Sequence, residues 1–368
     1  DRPPASDGVD GPERSLGLPC MALLPSNLFQ DPAMSSSMTP PPTMHHHTSL
    51  RILSQNLYGA EQHSPHQRAH AFASFLEALL PDVVGLQEVR RFNLAPLLNS
   101  DVLRKAYPHL NDENAAEPPW TMVLTRSSPH LQRLHRKHYA GVGGWRGMEL
   151  VHVNASGRLV SFASVHLSAF DCPAAAAQDD DAARNAAAVE AEATARNATS
   201  RCPGGASRAA ELRTVLDILS RDGARDAVLM GDLNFGTRRD LFGLELSELR
   251  RHAEWRDAWS EAERHKEGGI SAGYSLPSAS HSSSGGSSGW TWDNRRNPLN
   301  KRDDEDGRKP DAPLNFPSDR IDRVLLKGGV HARSATLVND RPLSSSSSTT
   351  TPLFVSDHFG VEVQAIIR

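Results

Sequence analysis

The chain has 368 residues, a formal net charge of −4 with histidine neutral, and 38% hydrophobic residues. A protein that coats nucleic acid nonspecifically is expected to be strongly basic, so this charge argues against that class. No apolar run is long enough to span a bilayer, and the cysteines Cys20, Cys172 and Cys202 have no spacing that supports a disulfide framework or a thiolate metal site.

Four segments have a composition typical of flexible chain. Residues 1–47 are rich in Pro, Ser, Met and His, residues 171–207 in Ala, Asp and Asn, residues 266–288 in Ser and Gly, and residues 340–352 in Ser, Thr and Pro. Such segments bury too little apolar surface to offset the entropy that ordering them would cost. We therefore expect a flexible N-terminal segment over 1–47 and a single domain over 48–368 that carries three low-complexity insertions.

Three predicted strands in the first half of the chain each end on a polar side chain. Their residues either alternate with period two or form a continuous apolar run, which is typical of half-buried and fully buried strands respectively. The polar side chain lies where the strand reaches the edge of its sheet. The strands and their last residues are 50–56 with Asn56, 82–88 with Glu88, and 159–166 with His166.

The second half of the chain repeats this arrangement. An amphipathic helix is predicted over residues 208–219, and three more strands follow it. A chain that places carboxylates, amides and imidazoles at the ends of many strands brings ligands to one site, as a metal-assisted phosphoester hydrolase requires. The strands are 226–234 with Asp232 and Asn234, 321–326 with Asp322, and 359–367 with Asp357 and His358 just before it. The sequence therefore predicts a strand-rich α/β domain.

Each of these residues, taken alone, has a simpler explanation. A single glutamate after an apolar strand is most often exposed, and a single aspartate after glycine is most often a turn former or a helix cap. The tract His45–His47 likewise lies in a Pro/Ser/Thr-rich stretch and is interpreted as linker. Only the order of several motifs along the chain distinguishes a functional site from these explanations.

Six short motifs, in this order, resemble those of the endonuclease/exonuclease/phosphatase superfamily over roughly residues 48 to 368. A single motif of this kind recurs by chance, whereas six in order are specific. The resemblance implies a DNase I-like α/β (α+β) fold, a four-layer sandwich of two mixed β-sheets flanked by helices. The motifs are Gln55-Asn56, Leu86-Gln87-Glu88-Val89, Val165-His166-Leu167, Gly231-Asp232-Leu233-Asn234, Arg320-Ile321-Asp322-Arg323-Val324 and Ser356-Asp357-His358.

The resemblance also implies a catalytic domain over 48–368 that uses Mg²⁺ or Mn²⁺. Hard cations of this kind prefer oxygen ligands and usually retain waters alongside one or two carboxylates. Glu88 and Asn56 are the metal ligands that the motifs imply, and Asp357 is a further candidate. The implied activity is a metal-dependent phosphodiesterase.

Five residues carry the catalytic roles that the resemblance implies. His358 is expected to face the scissile phosphate, with Asp322 bonded to its other ring nitrogen. His166 is expected to donate to a phosphate oxygen. Asp232 is expected to orient or deprotonate the attacking water, and Asn234 to hold that water or a nonbridging oxygen.

The C-terminal third resembles the tyrosyl-DNA phosphodiesterase 2 branch, which hydrolyses the bond between a tyrosine and a DNA 5′-phosphate. The predicted substrate-binding residues are Trp292, which would stack on an unpaired base, Arg295, which would contact the phosphate backbone, and Asn297. The segments that carry this resemblance are Trp255-Arg256-Asp257-Ala258-Trp259, Gly289-Trp290-Thr291-Trp292-Asp293, Asn297, Asp319-Arg320-Ile321-Asp322-Arg323-Val324 and Ser356-Asp357-His358-Phe359-Gly360.

Two departures from that branch keep other substrates open. Ser54-Gln55 precedes Asn56 where the branch has Thr-Trp, and Ser168-Ala169-Phe170 stands where it has Glu-Ser. The alternatives are a neutral sphingomyelinase-like phosphodiesterase acting on a phospholipid headgroup, a general endonuclease of the same superfamily, and a catalytically silent scaffold. Against the scaffold, every expected polar position is filled by a usable residue type.

The expected partner is a phosphodiester substrate, with DNA ends favoured, and we expect a monomer. The cysteines lie in or beside the predicted insertions, which favours a reducing compartment and hence an intracellular protein of the nucleus or cytoplasm over a secreted one. A Cys172–Cys202 pair and the glycosylation sequons at Asn154 and Asn197 leave secretion open.

Overall fold

The computed structural model describes most of the chain from His47 onward. The predicted flexible segment up to residue 46, and most of the three predicted insertions, lie outside the described residues. Residues 204–207, the end of the insertion predicted over 171–207, are described, and a helix begins there at Gly205. The described residues are 47–113, 118–140, 146–169, 204–237, 239–266, 289–293, 296–300, 318–343 and 352–368, without the side chains of 239–241.

Eleven strands within the described residues form two mixed sheets. They are β1 Thr48–Asn56, β2 Val83–Gln87, β3 Thr121–Thr125, β4 Leu131–Tyr139, β5 Met148–Ala155, β6 Arg158–His166, β7 Asp226–Asp232, β8 Trp255–Asp257, β9 Asp322–Lys327, β10 Val330–Val338 and β11 Gly360–Ile367. One sheet has the order β10-β11-β1-β2-β3 and the other β4-β5-β6-β7-β9-β8. The pairs β1–β2 and β6–β7 are parallel, and the remaining pairs are antiparallel.

Helices pack on the outer sides of both sheets, except the last, which contributes Ala258, Trp259 and Ala262 to the core between the sheets. They are α1 Pro65–Leu79, α2 Arg91–Asn99, α3 Asp101–Ala106, α4 Gly205–Arg221, α5 Arg239–Arg251 and α6 Ala258–Lys266, with short 3₁₀ helices at Pro108–Asp112 and Pro298–Asn300. None of the described helices is long and apolar enough to cross a membrane.

Alternation along the strands explains why there are four layers. Successive side chains of a strand point to opposite faces, so an apolar strand can contribute to two cores. In β1, Ile52 joins a core between the two sheets, whereas Leu53 joins a core with Phe72 and Leu76 of α1. On the other side, α4 and α5 pack on the six-stranded sheet. The predicted four-layer sandwich of two mixed sheets is therefore confirmed.

Strand register brings the predicted polar residues to one end of the sandwich. Asn56 pairs with Gln87 at the parallel ends of β1 and β2, and His166 pairs with Asp232 at the parallel ends of β6 and β7. Asp322 begins the antiparallel strand β9 directly opposite Asp232. The same edge of each sheet therefore carries the residues from which a site can be built.

Candidate active site

The Asn56 side chain is hydrogen-bonded to both Glu88 and Asp232. The Asn56 Nδ2 lies 3.1 Å from Glu88 Oε1 and 3.1 Å from Asp232 Oδ2, so one amide group links carboxylates of the two sheets. The Asn56 Oδ1 accepts the backbone N–H of Tyr58, and the Glu88 Oε2 accepts that of Gly59. Asn56 was predicted to ligate a metal through oxygen, but here its amide nitrogen faces the carboxylates.

His166 is held from both sides of its ring. The indole Nε1 of Trp120 donates to His166 Nδ1 at 2.9 Å, and His166 Nε2 lies 3.2 Å from Asp232 Oδ2. An indole N–H can only donate, so Nδ1 is the acceptor and the ring proton lies on Nε2, facing Asp232. The predicted donation from His166 to a phosphate oxygen would have to share this proton with Asp232.

Asp232 is an ionised carboxylate at the centre of the site. Burial by itself would raise the pKa of Asp232, but His358, His166 and the backbone N–H of Asn234 outweigh burial and hold that pKa far below its usual range. The Asn234 side chain donates to the Leu167 carbonyl at 2.9 Å. Asn234 adopts a left-handed φ of 52°, which folds its own amide back onto Asp232 Oδ1 at 2.9 Å.

His358 and Asp322 form the predicted carboxylate–imidazole pair. His358 Nδ1 lies 2.8 Å from Asp322 Oδ2, and His358 Nε2 lies 3.7 Å from Asp232 Oδ2. Burial lowers the pKa of His358, but Asp322, Asp357 and Asp232 outweigh burial and raise that pKa well above 6.5. The hydroxyl of Thr291 accepts the backbone N–H of Asp322 and so fixes the start of β9.

Asp357 lies beside His358 but outside the cluster that Glu88 forms. Its Oδ1 is 3.9 Å from His358 Nε2. Burial, reinforced by the charge of Glu88, raises the pKa of Asp357 to about 7, against the opposing effect of His358. Its predicted role as a metal ligand stays a prediction.

The donor set at this edge suits a divalent cation. Glu88, His166 and Asp232 each offer a ligand atom within 4.8 Å of the others, and Asp232, Asp322 and His358 form a second such group. Two carboxylates beside one imidazole match the oxygen-rich coordination of Mg²⁺ or Mn²⁺. The structure thus offers Asp232 beside the predicted ligand Glu88, whereas His166, with its Nδ1 bonded to Trp120 and its proton on Nε2, is placed as a hydrogen-bond donor.

The predicted substrate-binding residues have different positions. Trp292 lies edge-on to His358, with ring centroids 4.9 Å apart and an interplanar angle of 70°. Asn297 is buried, donates to the Ser356 carbonyl at 2.7 Å and accepts the N–H of Leu299 at 3.1 Å. Because its amide is engaged with the main chain, Asn297 positions the segment before His358 instead of facing a substrate. Arg295 lies outside the described residues.

Two residues were not predicted from the sequence, one that contacts the site and one that supports a loop beside it. Trp120 immediately precedes β3, which runs antiparallel to β2, so its carbonyl accepts the N–H of Val89 next to Glu88. Pairing β2 with the following apolar run would have placed Trp120 at this edge. Arg68, buried in α1, supports the loop that contacts Asn56 and Glu88, and no sequence pattern marks a buried arginine of this kind.

Comparison with known proteins places this geometry in a family. The model of the Endonuclease/Exonuclease/phosphatase family matches residues 53–358. A search of the curated proteins finds no match to this sequence.

Solved structures with a similar fold include two TDP2 proteins. A D. rerio TDP2 humanized by 14 mutations has a TM-score of 0.54 at 18% identity, covering 86% of this chain and 98% of that chain. TDP2 from C. elegans has a TM-score of 0.53 at 17% identity, covering 87% and 75% respectively.

A bacterial protein shares the fold to the same degree. An endonuclease/exonuclease/phosphatase family protein from Bacteroides thetaiotaomicron has a TM-score of 0.54 at 14% identity, covering 88% of this chain and 100% of that chain. Identities this low establish a common fold and no more. Because the family model matches well over half of the present chain, this chain belongs to the endonuclease/exonuclease/phosphatase family, whose members are generally hydrolases.

Proposed function

We propose that the protein is a Mg²⁺- or Mn²⁺-dependent phosphodiesterase that acts on DNA ends, including the bond between a tyrosine and a DNA 5′-phosphate. The observation that carries the proposal is the convergence of polar side chains on one oxygen, Asp232 Oδ2. That oxygen lies 3.1 Å from Asn56 Nδ2, 3.2 Å from His166 Nε2 and 3.7 Å from His358 Nε2. A phosphoester hydrolase needs such an acceptor next to a cationic donor.

Asp232 would orient the attacking water. A carboxylate accepts hydrogen bonds, and the low pKa of Asp232 keeps it ionised over the physiological range. The same low pKa makes Asp232 a weak base, so its main contribution is to align the water. The water proton would pass to Asp232 only as the phosphorus–oxygen bond forms. Asn234, whose backbone amide is bonded to Asp232, stiffens that carboxylate.

His358 would stabilise the charge that develops on the phosphate. Asp322 accepts the Nδ1 proton at 2.8 Å, which leaves the Nε2 proton directed toward Asp232 and the site. A cationic imidazole at this position donates to a nonbridging phosphate oxygen and gains strength in a water-poor site. Because the raised pKa keeps His358 protonated at neutral pH, this donor is present before the substrate binds.

Glu88, with Asp232, would hold the cation. When bound there, Mg²⁺ or Mn²⁺ supplies Lewis-acid stabilisation of the leaving oxygen. Glu88 is oriented for this task by the backbone N–H of Gly59 at 2.7 Å.

DNA is favoured as the substrate by two features. Trp292 stands beside His358, where an unpaired base could stack on it for about 1–3 kcal/mol. The fold is also shared with a D. rerio TDP2 whose structure was determined with a single strand DNA product, at a TM-score of 0.53 and 16% identity.

The chemistry is tested with site variants and a chelator. Glu88→Gln and His358→Ala should each lower phosphodiesterase turnover by about 10²–10⁴-fold, the usual contribution of such a group. EDTA should abolish the activity of the parent, and added Mg²⁺ or Mn²⁺ should restore it. Turnover within a few-fold of the parent in both variants, or activity that persists in EDTA, would contradict the proposed site.

The substrate is tested by a side-by-side turnover assay in Mg²⁺, with Glu88→Gln as the blank. The three substrates are a 5′-phosphotyrosyl oligonucleotide, an abasic-site duplex and sphingomyelin in mixed micelles. We expect release of tyrosine that leaves a 5′-phosphate. Cleavage of the abasic duplex alone, or release of choline phosphate, would retain the phosphodiesterase chemistry and discard the proposed substrate.

A further inference from the structure

A buried arginine supports the loop between β1 and α1. Arg68, in the first turn of α1, is 1% exposed. Its guanidinium donates to five backbone carbonyls of this loop, which equals the number of N–H groups that an arginine side chain carries. The acceptors and their distances are His63 at 3.0 Å, Leu57 at 3.5 Å, Tyr58 at 3.3 Å, Ala60 at 2.9 Å and Gln62 at 3.3 Å.

The partners of Arg68 are unusual for a buried arginine. Within the described part of the chain, no carboxylate lies at ion-pair distance from its guanidinium, whereas the equally buried Arg208 pairs with Glu245 at 2.7 Å. The guanidinium carbon also lies 4.6 Å from the ring centroid of Tyr58, in a cation–π contact. Arg68 therefore stabilises the conformation of a loop through direct hydrogen bonds, and its charge reaches the buried Asp357 only from beyond ion-pair distance.

This loop contacts the proposed metal ligand Glu88, and Asn56 bonded to it, through its backbone amides. The N–H of Tyr58 donates to Asn56 Oδ1 at 2.9 Å, and the N–H of Gly59 donates to Glu88 Oε2 at 2.7 Å. The carbonyls of Tyr58 and Ala60, on either side of Gly59, are held by Arg68. Arg68 and Glu88 thus bind the same short stretch of main chain: Arg68 binds the carbonyls of Tyr58 and Ala60, and Glu88 binds the N–H of Gly59.

The loop conformation needs external support. Tyr58, His63 and Ser64 have φ values of 54°, 57° and 57°, in the left-handed region that favours glycine. A residue with a side chain held there costs about 1–2 kcal/mol, so three such residues within seven positions would tend to relax. The five hydrogen bonds of Arg68 act against that relaxation.

We propose that Arg68 is a positioning residue for the cation site. By holding residues 57–63, it keeps the Gly59 amide on Glu88, and the Tyr58 amide on the Asn56 side chain that is bonded to Glu88, in the geometry that binds a divalent cation. The inference rests on the proposed function only in taking Glu88 as a ligand. Removing a group that orients a metal ligand typically lowers metal affinity or activity by about 10–100-fold.

The test is Mn²⁺ binding to the full chain without substrate, measured by titration calorimetry. Arg68→Lys retains the positive charge but offers three donors from one point, so any loss reports the forked hydrogen bonding and not the charge. We expect Mn²⁺ affinity to fall about 10–100-fold, with turnover at saturating Mn²⁺ within a few-fold of the parent. Amide hydrogen exchange over residues 57–63 should become faster, whereas a merely destabilising change would accelerate exchange throughout the chain.

Arg136→Lys is the matched control. Arg136 bridges Glu113 and Glu149 at the far edge of the six-stranded sheet, and its replacement should leave Mn²⁺ affinity unchanged. If Arg68→Lys does not fold, Gly59→Pro replaces it, because proline deletes the N–H that reaches Glu88 and leaves Arg68 in place. Unchanged Mn²⁺ affinity in whichever of these two variants folds would overturn the proposal. Failure of the parent to bind Mn²⁺ would instead overturn the metal site of the proposed function.

Discussion

At the scale of single residues, the site depends on which atom of each side chain faces Asp232. Asn56, His166 and Asp232 are predictable from the sequence because each ends an apolar strand. Which of their atoms meet is not predictable, since amide and imidazole orientation is set by neighbours from other elements. Thus the side-chain nitrogen of Asn56 faces the carboxylates of Glu88 and Asp232, because its side-chain oxygen accepts the N–H of Tyr58.

Trp120 provides a test of that dependence on neighbours. Trp120→Phe keeps an aromatic ring but removes the N–H that holds His166 Nδ1 as an acceptor. We expect kcat to fall about 10-fold, because the ring proton of His166 is then no longer confined to Nε2. The measurement is steady-state kinetics together with ¹⁵N shifts of the His166 imidazole, which report its tautomer.

The control for Trp120→Phe is Trp259→Phe. That change also removes an indole N–H bond to a side chain, the 2.7 Å bond to Glu263 within α6. Turnover and the His166 shifts should stay at parental values in this variant. If Trp120→Phe leaves both kcat and the His166 shifts unchanged, the indole does not determine the tautomer of His166.

At the scale of elements, the ends of the strands were predictable and their pairing was not. Apolar periodicity predicts β1, β6 and β7 from local sequence alone. In strand β4, by contrast, apolar and polar residues alternate poorly, because β4 is an edge strand with many basic residues. Its strand conformation is fixed by antiparallel pairing with β5. Which strands lie next to each other depends on contacts distant in sequence, such as the pairing of the last strand, β11, with β1.

Gly231 is a position where element packing requires glycine. It lies in β7 with a φ of 151°, and a Cβ there would fall on the carbonyl oxygen of Val165 in β6. Gly231→Ala should destabilise the fold by about 3 kcal/mol or more, since backbone strain and overpacking each cost about 1–3 kcal/mol. Urea unfolding measures the loss, and turnover should fall too, because His166 and Asp232 follow directly in the two strands.

Gly243→Ala serves as the opposite case. Gly243 lies in α5, and a Cβ there meets no atom within 4 Å among the described residues. Alanine in a helix should stabilise this protein by about 0.4–1 kcal/mol. Equal effects of the two alanines on the free energy of unfolding would show that the close approach of β6 and β7 at Gly231 is not a constraint.

At the scale of the whole molecule, six ordered motifs predicted the four-layer sandwich because they fix strands of both sheets and the single edge at which they end. Local sequence said nothing of the buried ion pairs that join the layers. Asp257 at the end of β8 pairs with Arg323 at 2.8 Å and with Arg320 at 3.4 Å, beside Asp322. These charges come from segments more than sixty residues apart, so only the folded chain brings them together.

Asp257 therefore makes global stability depend on pH. Burial would raise the pKa of Asp257, but Arg320 and Arg323 outweigh burial and lower that pKa below its ordinary value of 3.8. A carboxyl whose pKa is lower in the folded state stabilises the fold above its unfolded pKa, and this stabilisation is lost as the pH falls through the folded pKa. Asp257→Asn should then cost about 3–5 kcal/mol at pH 7, because two buried arginines lose their partner.

The cost of Asp257→Asn should shrink as the pH falls below about 4, where the carboxyl of the unfolded chain takes up a proton, and should go on shrinking through the lower pKa of the folded state. Urea unfolding of parent and variant at pH 7, 5, 4 and 3 measures the difference. Asp101→Asn is the control, since Asp101 is an exposed partner of Arg104 and its loss should change stability little at any pH. A difference between parent and Asp257→Asn that stays constant from pH 7 to pH 3 would mean that the charge of Asp257 does not stabilise the fold, and that its loss acts only through packing.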